Sequence, residues 1–366
     1  MSDFTANEYA HMARALQLAE RGCYGAHPNP KVGCVLVRDE AVVAEGWHER
    51  AGAAHAEVNA LRRAGNKAAG ATAFVTLEPC AHEGKTPPCS AALIEAGVSA
   101  VIVAMRDPYP AVAGKGLEAL RDAGVAVREG LLQAQAETLN RGYLKRIRDG
   151  RPLVRLKVAT SLDGCVAMKN GESQWITGPA ARNDVQRLRA RSGAILSGIG
   201  TVLADDPAFT VRNADLLEHG RQPLRVVVDS ALRMPLSASM LDMPGSTLVA
   251  CANDAGRARL EAAGVEVFHA ADSSAHVHLT KLLHELARRG INDVLVEAGP
   301  VLAGSLAQQG LIDELVIYQA PHIMGSETTT MLNTPSWQTL LDRKDLDIRD
   351  RRQVGQDLRI TAVFAS

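Results

Sequence analysis

A histidine, a glutamate and two cysteines between residues 55 and 89 put the tightest constraint on how this chain can fold. The stretch reads HAEVNALRRAGNKAAGATAFVTLEPCAHEGKTPPC, and each cysteine follows a proline. Neutral imidazole and thiolate are donors that zinc takes from proteins, so His55, Cys80 and Cys89 form a candidate ligand set. Structural zinc sites are usually closed by four protein ligands, whereas catalytic sites keep three and leave one position open. Glu57 is poorly placed to fill that position, because helical side chains two residues apart point in different directions. A carboxylate beside the open position can instead take a proton from a water and pass it on. Taken one at a time, such residues are more often buried structural cysteines or ordinary helix histidines.

Together they follow the order of the zinc-deaminase signature: histidine, x, glutamate, then a proline-cysteine pair and a further cysteine. One departure matters. The signature puts two residues between its cysteines, whereas eight, AHEGKTPP, separate Cys80 from Cys89. The insert ends in a second Pro-Cys, so the chain is expected to loop out and return to the metal.

The 366 residues are enough for two domains of ordinary size, and the hydrophobic fraction of 46% is that of a globular protein. Forty basic and 41 acidic side chains leave a formal net charge of −1, which excludes a basic footprint for nucleic acid. Aromatic residues at 4% also disfavour a platform for stacking single strands. The six cysteines show no disulfide-framework spacing. The start, MSDFTANEYAHMARALQ, lacks the pattern of a signal peptide, and no apolar run has membrane-spanning length. A soluble, cytoplasmic protein with no membrane partner is expected.

Helical spacing over residues 7–21 predicts a first helix closed by Gly22. A proline-rich loop leads into a strand over 32–37, and AVVAEGWH completes a hairpin. A helix begins near His55, ATAFVTLEP is a strand ending at Cys80, and SAALIEAG is a short helix. VSAVIVAM, GLEALRDAG and VAVREG read as strand, helix and strand. Alternation of this kind implies a largely parallel sheet with helices on its faces. Ligands on such sheets sit outside the carboxyl ends of the strands, where Cys80 falls. A long polar helix over 133–148 then runs into RIRDGRP, whose breakers place a domain boundary between Asp149 and Gly150.

The second region, 150–366, restarts with the strand PLVRLKVATS. TGPAARNDVQRLRARSG reads as a helix capped by Thr177, and AILSGIGTVLADDP as a strand breaking into a glycine-rich turn. LRVVVDS, STLVACAN, VEVFHA, INDVLVEAG and DELVIYQAP are strands; HLTKLLHELARRG and VLAGSLAQQGL are helices. The tail alternates like an antiparallel hairpin. This region is α/β with a mixed sheet. The turns GIGTVLADDP and EAGPVLAGS could cradle phosphate on freed N–H groups, or could simply be tight packing turns. No G-x-G-x-x-G follows a strand directly, so a Rossmann dinucleotide fold is not indicated. Arg182, Arg187, Arg189, Arg191 and Arg212 could meet a phosphate, or could form a solvated helix face.

The motifs PNPKVGCV, HAEVNA, TLEPCAHEGKTPPC, KVATSLDG, GTVLADDP and VEAGPVLAGSL together closely resemble the bifunctional deaminase–reductases of bacterial riboflavin biosynthesis. The resemblance runs from the first helix to the final strands, and the long cysteine spacing belongs to that family. It implies a cytidine-deaminase-like α/β/α domain over 1–149 and a dihydrofolate-reductase-like α/β domain over 150–366. The first would deaminate a pyrimidine ribotide with zinc, and the second would reduce its ribosyl group with NADPH. By motif, His55, Cys80 and Cys89 would bind one zinc ion per chain and Glu57 would shuttle protons. Asn29, His48, His82 and Lys85 match substrate positions, although each taken alone is more often a surface or packing residue.

In the reductase half, Ala159, Trp175, Thr201, Asp205, Ser230 and the turn Gly299, Pro300, Val301, Leu302, Ala303, Gly304 and Ser305 match cofactor positions. Ser173, Arg189, Phe209, Arg212 and Glu297 match substrate contacts, and Lys157 lies on the strand entering that site. Three other readings stay open at this point. They are a nucleic-acid base deaminase with an appended domain, a zinc-stabilised scaffold without turnover, and a deaminase whose second domain senses a regulatory ligand. Apolar terminal strands also lead us to expect a homo-oligomer.

Overall fold

The computed structural model describes residues 4–81, 87–217, 221–335 and 338–365. The chain divides into two compact units, Met1–Asp149 and Gly150–Ser366.

In the first unit, α1 (Ala6–Glu20) precedes the hairpin of β1 (Gly33–Arg38) and β2 (Ala41–Trp47). There follow α2 (Ala56–Ala64), β3 (Thr72–Val75), α3 (Cys89–Glu95), β4 (Ala100–Val103), α4 (Lys115–Asp122), β5 (Ala126–Glu129), α5 (Gln133–Leu139) and α6 (Arg141–Asp149). Among the described residues, the strands form one sheet in the order β2-β1-β3-β4-β5. β1 is antiparallel to both neighbours, while β3, β4 and β5 run parallel. Strand side chains alternate between faces, and the two cores follow from that. Cys34, Leu36, Val101 and Val103 pack under Ala56 and Ala60 of α2, Leu93 of α3 and Leu117 of α4. Val35, Val37 and Ile102 pack on the other side under Met12 and Leu18 of α1, with Ala136 and Tyr143 from α5 and α6. The layers are α/β/α. Gly46 allows α2 to settle on the sheet, since a Cβ there would lie 2.3 Å from the Ala56 carbonyl oxygen.

The second unit begins with β6 (Leu153–Thr160), β7 (Cys165–Ala167), α7 (Pro179–Arg191), β8 (Ala194–Gly198), α8 (Ile199–Asp205) and β9 (Leu224–Val228). It continues through β10 (Thr247–Cys251), α9 (Arg257–Ala262), β11 (Glu266–His269), α10 (Leu279–Arg288), β12 (Asp293–Val296) and α11 (Pro300–Gln308). It ends with β13 (Glu314–Gln319), β14 (Thr329–Thr330), β15 (Leu346–Val354) and β16 (Asp357–Phe364). Among the described residues, nine strands share one sheet in the order β11-β10-β9-β8-β12-β6-β13-β16-β15, and β7 pairs with β14 apart from it. The run from β11 to β13 is parallel. The terminal hairpin is antiparallel, with β16 joined to β13. One face carries α10 and α11 through Leu282, Leu286, Ala303 and Leu306. The other carries α8 and α9 through Ile199, Val202 and Leu260, and α7 through Val185 and Leu188. No described helix is long and apolar enough to cross a membrane.

Four local expectations are corrected. The helix expected over 133–148 is two helices broken at Asn140, whose amide exchanges hydrogen bonds of 2.8 and 2.9 Å with the Lys31 backbone. Those tertiary bonds compensate a residue that leaves helical geometry. β3 ends at Val75 rather than at Cys80, so residues 76–80 leave the sheet as a bend. Gly178, not Thr177, is the N-cap of α7; its N–H donates to Asp357 Oδ2 at 2.8 Å, a cap supplied from the terminal hairpin. GIGTVLADDP forms α8 rather than an open turn, and buries Ile199 and Val202.

Candidate active sites

His55 is the N-cap of α2, with extended backbone (φ −72°, ψ 166°), and Glu57 lies in the first turn of that helix. Cys80 sits in the bend after β3, and Cys89 is the first residue of α3. The donor atoms of His55, Cys80 and Cys89 all lie within 4.8 Å of one another. His55 Nδ1 is 3.2 Å from Cys89 Sγ and 3.6 Å from Cys80 Sγ, and the Cys89 N–H donates to Cys80 Sγ at 3.3 Å. The bond from the Cys89 thiol, with help from His55, lowers Cys80 to about 4. The same bond, with burial, pushes Cys89 up. The shared hydrogen bond favours the thiolate at Cys80, and a bound dication would favour it at both sulfurs. Two sulfurs and one imidazole converging on a point fit zinc.

Glu57 is 3% exposed, and its carboxyl is within hydrogen-bond reach of the Cys89 thiol. Burial raises it to about 7, against the pull of His55; a bound cation would lower it again. His48 is also buried, with its ring edge-on to that of His55 at 5.4 Å. Its Nδ1 faces the Ala54 carbonyl oxygen at 3.1 Å, and its Nε2 lies 3.0 Å from Asn29 Nδ2. A carbonyl can only accept, so Nδ1 carries the proton and Nε2 accepts from the Asn29 amide. Asn29 and His48 therefore meet beside the ligand cluster, and the Asn140–Lys31 bonds hold the loop that carries Asn29. His82 and Lys85 lie outside the described residues.

In the second unit several of these residues lie at or near the carboxyl ends of β9, β8, β12 and β6, where open parallel sheets bind ligands. Lys157 and Ala159 lie on β6, Glu297 follows β12, Ser230 follows β9, and Thr201 and Asp205 lie on α8. The helix starts at Gly198 and Gly299 are joined, because the Gly299 N–H donates to Thr201 Oγ1 at 3.2 Å. Val301 is 67% exposed beside that junction, whereas Ala303 and Gly304 turn inward, and a Cβ on Gly304 would meet the Asn333 carbonyl oxygen at 2.0 Å. Part of the glycine-rich turn is therefore packing.

Arg189 and Glu297 pair with each other through two hydrogen bonds of 2.6 and 3.0 Å. Burial alone would raise the Glu297 carboxyl, but Arg189, Lys157 and Arg212 hold it below the usual range. Burial lowers the Lys157 ammonium, with Glu297 opposing. Phe209 is buried, its ring 5.9 Å from the Arg189 guanidinium, while Arg212 is exposed. Trp175 is 67% exposed and lies under the Arg182 guanidinium at 4.6 Å, in the loop that also carries Ser173.

Two features were missed from sequence. Asn140 gave no signal, because its partner is 109 residues away. Cys251, Asp254 and His269 also converge, but Arg257 at 3.1 Å and His269 at 2.8 Å already satisfy the two Asp254 oxygens.

Comparison with known proteins agrees with this geometry. Residues 152–359 match the RibD C-terminal domain, and residues 5–105 match the cytidine and deoxycytidylate deaminase zinc-binding region. The chain is 49% identical to riboflavin biosynthesis protein RibD of Escherichia coli K12, over 98% of this chain and 100% of that one. It is 44% identical to the Haemophilus influenzae protein of the same name, over 99% and 98%. A solved Acinetobacter baumannii RibD superposes with a TM-score of 0.93 at 44% identity, covering 98% of this chain and 99% of that one. The Thermotoga maritima diaminohydroxyphosphoribosylaminopyrimidine deaminase/5-amino-6-(5-phosphoribosylamino)uracil reductase superposes with 0.85 at 30% identity, again over 98% and 99%.

Proposed function

Because the chain belongs to the family of bifunctional deaminase–reductases of riboflavin biosynthesis, we propose that each of its halves carries one complete site built from the residues above. The enzyme performs two consecutive steps: hydrolytic deamination of 2,5-diamino-6-ribosylamino-4(3H)-pyrimidinone 5′-phosphate, then NADPH-dependent reduction of the ribosyl group to ribityl. The halves divide at Asp149–Gly150. The observation that carries the assignment is the convergence of His55, Cys80 and Cys89 beside a buried Glu57.

His55, Cys80 and Cys89 would hold one zinc ion per chain, which as a Lewis acid makes a water nucleophilic near neutral pH. Glu57 would take a proton from the water as its oxygen bonds to the amino-bearing ring carbon and pass it to the ring nitrogen. The hydroxyl's remaining proton, relayed by the same carboxylate to the amino nitrogen, lets the C–N bond break and ammonia leave. His48 fixes the Asn29 amide by accepting one of its N–H bonds, and among the described residues Asn29 Oδ1 has no partner. That oxygen is free to accept from the ring's amino group. His82 and Lys85 on the insert would complete the substrate's surroundings, with Lys85 toward the phosphate.

In the second unit, NADPH supplies the hydride. The first turns after Gly198 and Gly299, joined through Thr201, would offer backbone N–H groups to the cofactor's phosphates, and Ala159, Trp175, Thr201, Asp205 and Ser230 would complete its surroundings. Arg189, Glu297 and Lys157 form a fixed charged floor against which the ribosyl group is oriented, with Ser173 and Arg212 at its rim. Apposition of the donor with the sugar C1′ is the main requirement of hydride transfer.

Leu340, Leu341, Leu346 and Ile348 are exposed on or beside β15, the open edge of the sheet, which supports a homo-oligomer. None of the six cysteines, all of them among the described residues, forms a disulfide, which suits a reducing cytoplasm. The deciding experiment incubates the protein with the ribotide and NADPH and follows ammonia and NADPH absorbance together. Ammonia release without NADPH, and NADPH oxidation only after it, is the expected course. Absence of ammonia release from zinc-loaded protein would sink the assignment.

A further inference from the structure

The TLEPC stretch holds a second buried carboxylate that the chemistry above does not use. Glu78 lies two residues before Cys80 and is 3% exposed. Its Oε2 accepts from the Asp107 N–H at 3.2 Å and the Gly114 N–H at 3.0 Å, and its Oε1 from the Gly116 N–H at 3.1 Å. Gly114 is the N-cap of α4, a glycine that has no side chain to cap with, and Gly116 lies in the helix's first turn. Glu78 therefore supplies the cap from 36 residues away in sequence, with its charge at the positive end of the helix dipole. A buried anion needs such donors to be tolerated at all.

The neighbouring main chain is held as closely. A Cβ on Gly116 would lie 1.9 Å from the Pro79 carbonyl oxygen, so the first turn of α4 rests directly on Pro79. The Glu78 N–H donates to the Met105 carbonyl at 3.0 Å. On the far side, the Cys80 carbonyl accepts from Ser90 N–H at 3.2 Å and from Ser90 Oγ at 3.1 Å. Cys80 is thus strung between two anchors, α4 through Glu78 and Pro79, and α3 through Ser90.

We propose that Glu78 is a positioning residue of the zinc site: by capping α4 across the fold it fixes the Pro79–Cys80 main chain, so that Cys80 Sγ meets His55 and Cys89. The inference rests on the zinc reading above. Groups that orient a metal ligand are typically worth about 10- to 100-fold in metal affinity. Glu78→Gln is the informative change. An amide has one acceptor oxygen, so with N–H donors converging on both carboxylate oxygens its NH2 must face at least one of them.

The test loads the full chain with zinc, adds excess colorimetric chelator, and follows zinc release beside the melting temperature. Glu78→Gln should release zinc about 10-fold faster than wild type or more. Glu78→Asp, which keeps the charge, should fall between. Leu120→Ala removes a fully buried side chain from α4 and lowers the melting temperature of the same unit, yet should release zinc at the wild-type rate. Wild-type release from Glu78→Gln overturns the proposal. Equal acceleration in Leu120→Ala does so too, because zinc loss would then only report lost stability. A wild-type chain that takes up no zinc would instead overturn the zinc reading, and the proposal with it.

Discussion

Arg189 donates from Nε and Nη2 to the two carboxylate oxygens of Glu297, at 2.6 and 3.0 Å, although the two residues are 108 positions apart in the chain. Arg189 Nη1 also donates to the Thr210 carbonyl at 3.0 Å, so the guanidinium is fixed on three sides. By motif each residue matches a substrate contact. They are one paired unit, with Lys157 and Arg212 acting on the same carboxylate. A fork of this geometry suits arginine and not lysine.

Arg189→Lys should therefore damage the reductase step selectively. A lysine is a point charge, so one Glu297 oxygen and the Thr210 carbonyl lose their donor. We expect kcat/KM for NADPH oxidation with the deaminated ribotide to fall by about 10-fold or more, while ammonia release stays within the error of wild type. Unchanged reduction would make the pair a structural clip only.

The two chemistries should also separate at Glu57. Glutamine keeps its size and removes the base, so deamination should fall by about 100-fold or more. Supplied with the already deaminated ribotide, Glu57→Gln should still oxidise NADPH at a near wild-type rate. Asp205→Ala should show the converse, releasing ammonia without oxidising NADPH. Loss of both activities in folded, zinc-loaded Glu57→Gln would point to obligatory coupling between the halves.

Cys89→Ser should sharply weaken zinc binding. Cys89 is buried at the start of α3 with its sulfur 3.2 Å from His55 Nδ1, and a serine hydroxyl is a poor zinc donor. Metal analysis after gel filtration should give about one zinc per wild-type chain and far less for the variant. Full retention would remove Cys89 from the ligand set.

Asp184 gives the second unit an acid-sensitive element. Burial would raise its carboxyl, but the Tyr318 hydroxyl at 2.7 Å and Arg359 at 2.8 Å hold it below the usual carboxylate range. A depressed folded-state pKa contributes stability that is fully present above the unfolded value and is lost as pH falls through the folded one. Asp184→Asn should lower stability at pH 7 and flatten its decline below about pH 4. Denaturant midpoints measured across that range test this, and parallel curves for the two proteins would refute it.

Much of this protein was legible in the sequence because the signals involved are local or chemically rare. The alternation of Cys34, Val35, Leu36 and Val37 sends neighbours to opposite faces of a sheet and so dictates helices on both sides. Gly299-Pro300 starts α11 where the fixed proline φ is already helical. His55, Cys80 and Cys89 pointed to a candidate zinc site by donor type and order, with Glu57 beside them as a proton carrier. What only the tertiary structure decided has a common physical form: a polar group satisfied by a partner far along the chain. Asn140 breaks a helix that its neighbours favour because Lys31 offers two hydrogen bonds. Gly178 caps α7 because Asp357 reaches it from the last hairpin. Glu78 caps α4, and Arg189 finds Glu297, across 36 and 108 residues. Local propensity extends over a few residues, whereas a buried donor or acceptor must find its complement wherever the fold brings one, and that choice is made by packing.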